Sequence, residues 1–389
     1  MELNSVTEST VPTHGSLHGL KVVDLSRVLG GPYCTQILGD HGANIYKVEP
    51  PFGDETRGWG PPFRGDTASY FVGVNRNKLG MSMDLSQPEE QARLRAMLRD
   101  ADVLVENFKP GTLEKWGLGY AQLSSEFPGL IHCRISGFGA DGPLGGLPGY
   151  DACAQALCGL MSVNGQPDGE ATRVGLPVVD MVTGLNAALA IMMALNERRS
   201  SGLGQFLDIS LFDCAISLLH PHGANYFMSG AIPQRTGNAH PNISPYETFP
   251  TGKGDIFLAV GNSRQFKTLC VQLGHPELAQ DPRFLENSDR LNNRQALREE
   301  LIALLSGHQA DALAATLLSA GVPAAPVLNV GEIMNHPHTR HRGMVLEAEG
   351  YQGIASPIKL SRTPATLRRL PPALGQHNEE VFTQLSLEF

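Results

Sequence analysis

The sequence predicts an α/β protein organised on a parallel sheet, with a smaller α+β domain beyond it. Strand-like runs rich in Val, Ile and Leu alternate with helical stretches through the amino half, the pattern of crossover-connected parallel strands. That alternation stops after about residue 225. At 389 residues the chain also exceeds what one hydrophobic core usually organises.

LKVVDLSR (20–27) reads as the first strand, followed by GGP and the helical YCTQILGDHG; NIYKVEP (44–50) resumes as a strand and closes a βαβ unit. The next units are SMDL (82–85), the helix QPEEQARLRAMLRDA, the strand DVLVENF (102–108), a helix near GTLEKWG and the strand LIHCRISGF (130–138). YDACAQALCGLMSV (150–163) has helical spacing, and a long apolar helix is expected from Asp180 to near Arg199. YETFPTGKGDIFLAVG (246–261) reads as a hairpin around TGKGD. Helices at 263–273 and 292–306, then QADALAATLLSAG and the short strand AAPVL, follow it. The expected boundaries are a flexible tail over 1–18, a large domain over 19–224 and a small domain with linkers over 225–344.

Hydrophobic residues at 41% and charged residues at 18% fit an ordinary globular enzyme. A net charge of −9 and a pI near 5.8 argue against a nucleic-acid partner. The six cysteines form no CxxC pair, so a reducing cytoplasmic compartment is expected rather than a disulfide framework. The apolar stretch 181–195 is too short to span a bilayer and no membrane partner is expected. Three histidines in HPHTRH (336–341) are interrupted by Pro337 and read as a solvated segment rather than a metal site. No GxSxG elbow appears. LGGP at the first strand-to-helix turn is not the GxGxxG of a dinucleotide site, though its helix N-terminus suits phosphate oxygens.

One residue stands apart. In GLPVVDMVTG (175–184), Asp180 sits at the mouth of the long apolar helix. An Asp there serves as an N-cap, and it also serves as a reactive carboxylate. Set among helix N–H groups, it is expected to be held in place and kept ionised.

Five segments, as they stand here, together resemble the class III CoA-transferases, the formyl-CoA transferase/carnitine CoA-transferase family. They are LKVVDLSRVLGGPYCTQILGDHGANIYKVEPPFGDETRGWGPPF, NRNKLGMSMDL, ADVLVENFKPGTLEKWGLGY, GFGADGPLGGLPGYDACAQALCGLM and GLPVVDMVTGLNAALAIMMAL. The resemblance implies a Rossmann-like large domain completed by 345–389, a small domain between, and an interlocked homodimer. It implies CoA contacts at Leu29 and Gly30, at Met83, Asp84, Leu85 and Ser86, and at Asn107 and Phe108. Lys115 stands where the family often carries Arg for phosphate. Gly149, Tyr150 and Asp151 fall beside the thioester, Asp151 replacing a Glu of formyl-CoA transferases, and the catalytic aspartate aligns with Asp180. No cofactor is bound permanently; an acyl-CoA thioester and a carboxylic acid are the substrates.

The expected reaction moves CoA from a donor such as succinyl-CoA to an acid acceptor through aspartyl-anhydride and aspartyl-CoA intermediates, with Asp180 as nucleophile. Backbone amides of the loops 141–149 and 237–245 are candidate oxyanion donors. Arg57, Arg64, Arg76, Arg134 and Arg173 are available to clamp a distal carboxylate. The alternative within the superfamily is an α-methylacyl-CoA racemase, whose base is a His at the position of Tyr150. A Tyr, with an unperturbed pKa of ~10, is a poor base at neutral pH. A non-catalytic CoA-binding protein on a borrowed fold is the alternative from another class.

Overall fold

The structure is a computed structural model and describes residues 14–384. The described residues divide into two compact units. One runs up to Leu160, over Val174–His220 and from Arg340 onward; the other comprises Met161–Arg173 and Pro221–Thr339. The small unit therefore takes in a segment, 161–173, that sequence patterning assigned to the large domain. Most of the expected tail lies outside the described residues. Its last residues form a turn, where the Leu17 N–H donates to the His41 carbonyl at 2.9 Å.

The large unit is organised by six parallel strands: β1 (Lys21–Asp24), β2 (Asn44–Glu49), β3 (Lys78–Ser82), β4 (Val103–Glu106), β5 (Ile131–Ser136) and β6 (Phe206–Ser210). Their order across the sheet is β3-β2-β1-β4-β5-β6, each pair parallel. This is the doubly wound order, whose direction reverses between β1 and β4. At such a switch point the loops leaving two neighbouring strands diverge and open a crevice at the strands' carboxyl ends. Two strands differ from the sequence pattern. The run SMDL is where β3 ends rather than where it lies, and β6 had no counterpart, because FLDIS is short and half-buried at the sheet edge.

Four helices matter for the site: α1 (Gly30–Asp40), α2 (Pro88–Leu98), α3 (Asp151–Leu157) and α4 (Val178–Ser201). α4 has 24 residues, so it is longer than the apolar stretch 181–195 suggested, and by length and composition it could cross a membrane. Here Val179, Thr183, Ala187, Ile191 and Ala194 bury one stripe of it at i, i+4, i+8 spacing against the sheet and α1. α1 and α4 approach closely enough that a Cβ on Gly184 would stand 2.6 Å from the Gly30 carbonyl oxygen. The carboxyl-terminal segment guards the other edge of the sheet. β3 donates from Gly80 N–H to His377 Nδ1 and from Ser82 N–H to Asn378 Oδ1, while Val381 and Phe382 enter the core beneath it.

The second unit holds an antiparallel sheet of β7 (Tyr246–Pro250), β8 (Asp255–Ala259) and β9 (Ala324–Pro326), ordered β9-β8-β7. The hairpin expected around TGKGD joins β7 to β8. Helices Ser263–Gln272, Arg294–Leu305 and Ala310–Ser319 bury Phe266, Leu301, Leu305 and Leu317 against Phe249, Ile256 and Leu258.

Candidate functional site

The crevice at the switch point is present as two clefts that share Arg27 and Phe108. The inner cleft, about 310 Å³, is lined by the turn Arg27–Gly30 after β1, by Asn107 and Phe108 after β4, by Gly146–Tyr150, and by Asp180. The outer cleft, about 220 Å³, is lined largely by Leu25, Val48, Met83, Leu85, Phe108 and Trp116, with Asp84 and Ser86 at its edge. Of the residues expected to meet CoA, Leu29, Gly30, Asn107, Phe108, Gly149 and Tyr150 thus come together in one cleft, and Met83 to Ser86 in the next. Lys115 lines neither; it ends the short helix Thr112–Lys115, exposed. Asp151 is not in the cleft wall either, and its position explains the site.

Asp180 is the third residue of α4 and is 9% exposed. It is not the helix cap. Asp151, on the first turn of α3, reaches across to take that role: its Oδ2 accepts from the Val179 N–H at 2.7 Å and the Asp180 N–H at 3.1 Å. Gln155 Nε2 donates to the other Asp151 oxygen at 2.6 Å. Two of the orphan amides at the start of α4 are thereby satisfied by a carboxylate from outside the helix. The Asp180 carboxylate has no hydrogen-bond partner among the described residues, and it faces the cleft beside Gly30, where a Cβ would stand 3.6 Å from Asp180 Oδ1.

This overturns the expectation that helix amides keep Asp180 ionised. Burial, and then the negative charge of Asp151, push its pKa up to about 7. The helix end does favour an anion, but Asp151 occupies the amides that would have delivered that effect. Tyr70 is a further group near the pair: burial, then the charges of Asp180 and Asp151, raise its phenol to about 12. The amino-acid pattern gave no hint of Tyr70, because only folding places it near the two carboxylates.

The turn after β1 is held from beneath by buried charge. Asp24 accepts from Ser26 N–H, Thr35 Oγ1 and Lys78 Nζ; Lys47 Nζ donates to the Ser26 carbonyl at 2.9 Å and to Asp54 at 3.1 Å. Asp54 in turn accepts from the Val28 N–H at 3.3 Å. Val28 has a φ of 69°, a left-handed conformation that is costly for a β-branched residue. The Asp54 carboxylate, fixed by Lys47 and Thr56, is the restraint that keeps it there. On the other wall, the loop 146–150 crosses the end of β5 where Gly137 meets Gly149. A Cβ on Gly137 would lie 2.8 Å from Gly149 Cα, so the crossing requires glycine.

The arginines considered for a substrate carboxylate are largely committed elsewhere. Arg57 forms a two-pronged pair with Glu49 at 2.8 and 2.7 Å, and Arg76 does the same with Asp40. Arg134 bonds Glu106 and Glu114, each at 2.6 Å. Glu106 also accepts from the Phe108 N–H at 2.8 Å, so Arg134 acts by holding the loop that carries Phe108. Arg64 donates to the Glu349 carbonyl, and Arg173 belongs to the other unit. The loop 237–245 also lies in the other unit. Arg27 is the residue that sequence reasoning passed over: it ends DLSR as an ordinary strand terminus, and only the fold makes it the shared wall of both clefts.

With this geometry the chain can be set beside known proteins. The family model described as CoA-transferase family III matches residues 17–378. A succinate–glutarate CoA-transferase of Agrobacterium fabrum is 40% identical over 382 residues, covering 95% of this chain and 95% of that protein. An acetyl-CoA:oxalate CoA-transferase of Acetobacter aceti is also 40% identical, over 359 residues and 92% of each chain. The crystal structure of a CAIB/BAIF family protein from Brucella suis superposes with a TM-score of 0.86 at 41% identity, covering 96% of this chain and 100% of that one.

Proposed function

Given that this chain belongs to CoA-transferase family III and is an acyl-CoA:carboxylate CoA-transferase, we propose that Asp180 carries the CoA between a succinyl-CoA-type donor and a dicarboxylic acceptor. The observation that bears most weight is the Asp180 carboxylate itself: buried, without a hydrogen-bond partner among the described residues, and in the wall of the cleft. A carboxylate in that state is a far better nucleophile than one solvated by water.

The route runs in four displacements. An Asp180 oxygen attacks the thioester carbonyl; the C–S bond breaks, giving an aspartyl-acyl anhydride and CoA thiolate. The thiolate attacks the aspartyl carbonyl of the anhydride, expelling the donor as its carboxylate and leaving Asp180 as a CoA thioester. The acceptor carboxylate attacks that thioester and releases the thiolate again. The thiolate then takes the acceptor acyl group, and Asp180 returns as a free carboxylate. No proton is gained or lost and no resident cofactor is required. What the site must exclude is water, since an anhydride hydrolyses readily. Loop 146–150 walls one side; Gly146 and Leu147 donate to the Gly139 and Leu144 carbonyls and Pro148 has no N–H, so the amides of Gly149 and Tyr150 are its candidates for the oxyanion.

Donor and acceptor are read from relatives of equal similarity that differ in substrate: succinate and glutarate in one name, acetyl-CoA and oxalate in the other. Both acceptors are dicarboxylic acids, which supports that class here. Intact-protein mass spectrometry after mixing with succinyl-CoA is expected to show a covalent CoA adduct that hydroxylamine discharges. Absence of any adduct across a panel of acyl-CoAs, with no CoA exchange between acids, would overturn the reading. A racemase is disfavoured because no histidine lines either cleft among the described residues, and the half-exposed Tyr150 offers no comparable base.

The working form proposed is a cytoplasmic, interlocked homodimer with no nucleic-acid or membrane partner. All six cysteines are free thiols, which suits a reducing compartment. On α4 the face opposite the buried stripe exposes Leu185, Leu189, Met192 and Met193, an apolar row suited to cover by a second copy. Sedimentation equilibrium is expected to give twice the 41.8 kDa chain mass, and Leu189→Glu is expected to weaken the dimer. A wild-type monomer at micromolar concentration would refute this.

A further inference from the structure

We infer that Arg27 is the binding residue for the diphosphate of the CoA thioester, an assignment that rests on the CoA-transferase reading above. Arg27 and Phe108 are the two residues that line both clefts, and Arg27 is the charged one. Its Nε is sealed from solvent and has no hydrogen-bond partner among the described residues. A buried guanidinium donor left in that state is unfavourable until an acceptor arrives. Unlike Arg57, Arg76 and Arg134, Arg27 forms no ion pair with a carboxylate among the described residues.

Its anchor is fixed independently of its side chain. Asn107 Oδ1 accepts from the Arg27 N–H at 2.9 Å, and Asn107 Nδ2 donates to the Arg27 carbonyl at 2.8 Å. Asn107 is therefore occupied with the Arg27 backbone, and its place in the cleft wall follows from that clamp. The guanidinium is projected from a rigid point.

The chemistry of the ligand fixes what passes that point. The outer cleft, walled by Leu25, Val48, Met83, Leu85 and Trp116, is an apolar slot suited to a flat heteroaromatic base. The inner cleft ends at Asp180. In CoA the diphosphate joins the adenosine to the pantetheine arm. A thioester with its base in the outer cleft and its carbonyl at Asp180 must carry that diphosphate past the residue common to both. A guanidinium matches two phosphate oxygens with parallel N–H bonds, which an ammonium does not. Lys109, the other cation lining the inner cleft, is exposed, and Lys115 lines neither cleft.

The test compares full-length wild type, Arg27→Gln and Arg27→Lys. Calorimetry gives their affinities for CoA, dephospho-CoA and pantetheine; kinetics use succinyl-CoA and succinyl-pantetheine. Arg27→Gln is expected to weaken CoA and dephospho-CoA alike by roughly 10- to 100-fold, the scale of a lost charge-assisted pair. KM for succinyl-CoA should rise accordingly, with kcat little changed and with succinyl-pantetheine turnover unaffected. Arg27→Lys should recover part of the affinity. Equal losses on succinyl-CoA and succinyl-pantetheine would mean a merely structural role and overturn the assignment. A loss confined to CoA and absent with dephospho-CoA would place Arg27 on the 3′-phosphate and overturn the diphosphate. Wild type that binds CoA no better than Arg27→Gln sinks this inference alone; wild type that binds no CoA sinks the transferase reading with it.

Discussion

Asp180→Asn is expected to give a folded, more stable and inactive protein. An amide oxygen cannot form the anhydride, so exchange of labelled succinate into succinyl-CoA should fall by roughly 10⁴-fold or more, the scale on which removal of a covalent nucleophile is felt. The CoA adduct should vanish with it. The stability change runs the other way. In the folded protein Asp180 keeps its proton to about pH 7, whereas an ordinary aspartate releases it near 3.8. Between those values the folded state binds more protons than the unfolded state, so stability falls as pH rises. Asn pays no such penalty. Its advantage over wild type should be small at pH 4, grow to pH 7 and stay level above, reaching on the order of 4 kcal/mol. Denaturant melts at pH 4 and pH 8 measure this directly. An Asn variant that retains exchange, or one whose advantage does not grow with pH, contradicts the placement of the nucleophile in a dry pocket. The paired outcome separates lost chemistry from lost folding, because a misfolded variant cannot be more stable.

The sequence made some of this legible because it is local. The βαβ rhythm predicted four strands near where they lie, and the apolar run around Asp180 predicted a helix with a carboxylate in its first turn. What escaped it is what folding brings together. β6 is a five-residue edge strand whose partner lies some 70 positions earlier in the chain, with Phe206 opposite His132; no local period announces such a pairing. Segment 161–173 joins the second unit through long-range packing that composition does not encode. The helix cap departs from the local pattern for the same reason. An Asp just inside a helix start is locally an excellent capping residue, and only the fold supplies a competitor 29 residues away that captures the amides first. Arg57, Arg76 and Arg134 looked available because their carboxylate partners come from other elements. Arg27 looked ordinary because it has none among the described residues.

Asp151 then becomes the residue whose alteration should most clearly separate positioning from chemistry. Its carboxylate does two things: it caps α4 at Val179 and Asp180, and its charge adds to the burial that raises the Asp180 pKa. Wild-type kcat/KM should climb with pH to a plateau above about 7, since only ionised Asp180 attacks and kcat/KM reports the free enzyme. Asp151→Asn removes the charge yet keeps an oxygen for the two helix amides. Its new NH₂ must then face Gln155 Nε2, which loses its 2.6 Å acceptor, a cost of about 1 kcal/mol. The acid limb of its kcat/KM profile should move to lower pH, while the plateau stays within about tenfold of wild type. Asp151→Ala removes the cap as well. Two buried amides at the start of α4 lose their partner, which costs roughly 1–3 kcal/mol of stability. The turn carrying Asp180 loosens, and a nucleophile displaced by even 1 Å can lose on the order of 100-fold in rate. Plateau activity should therefore drop much further in Ala than in Asn, while both acid limbs shift the same way. If the acid limb of Asp151→Asn stays where wild type has it, the two carboxylates are not coupled, and Asp151 is a cap and nothing more.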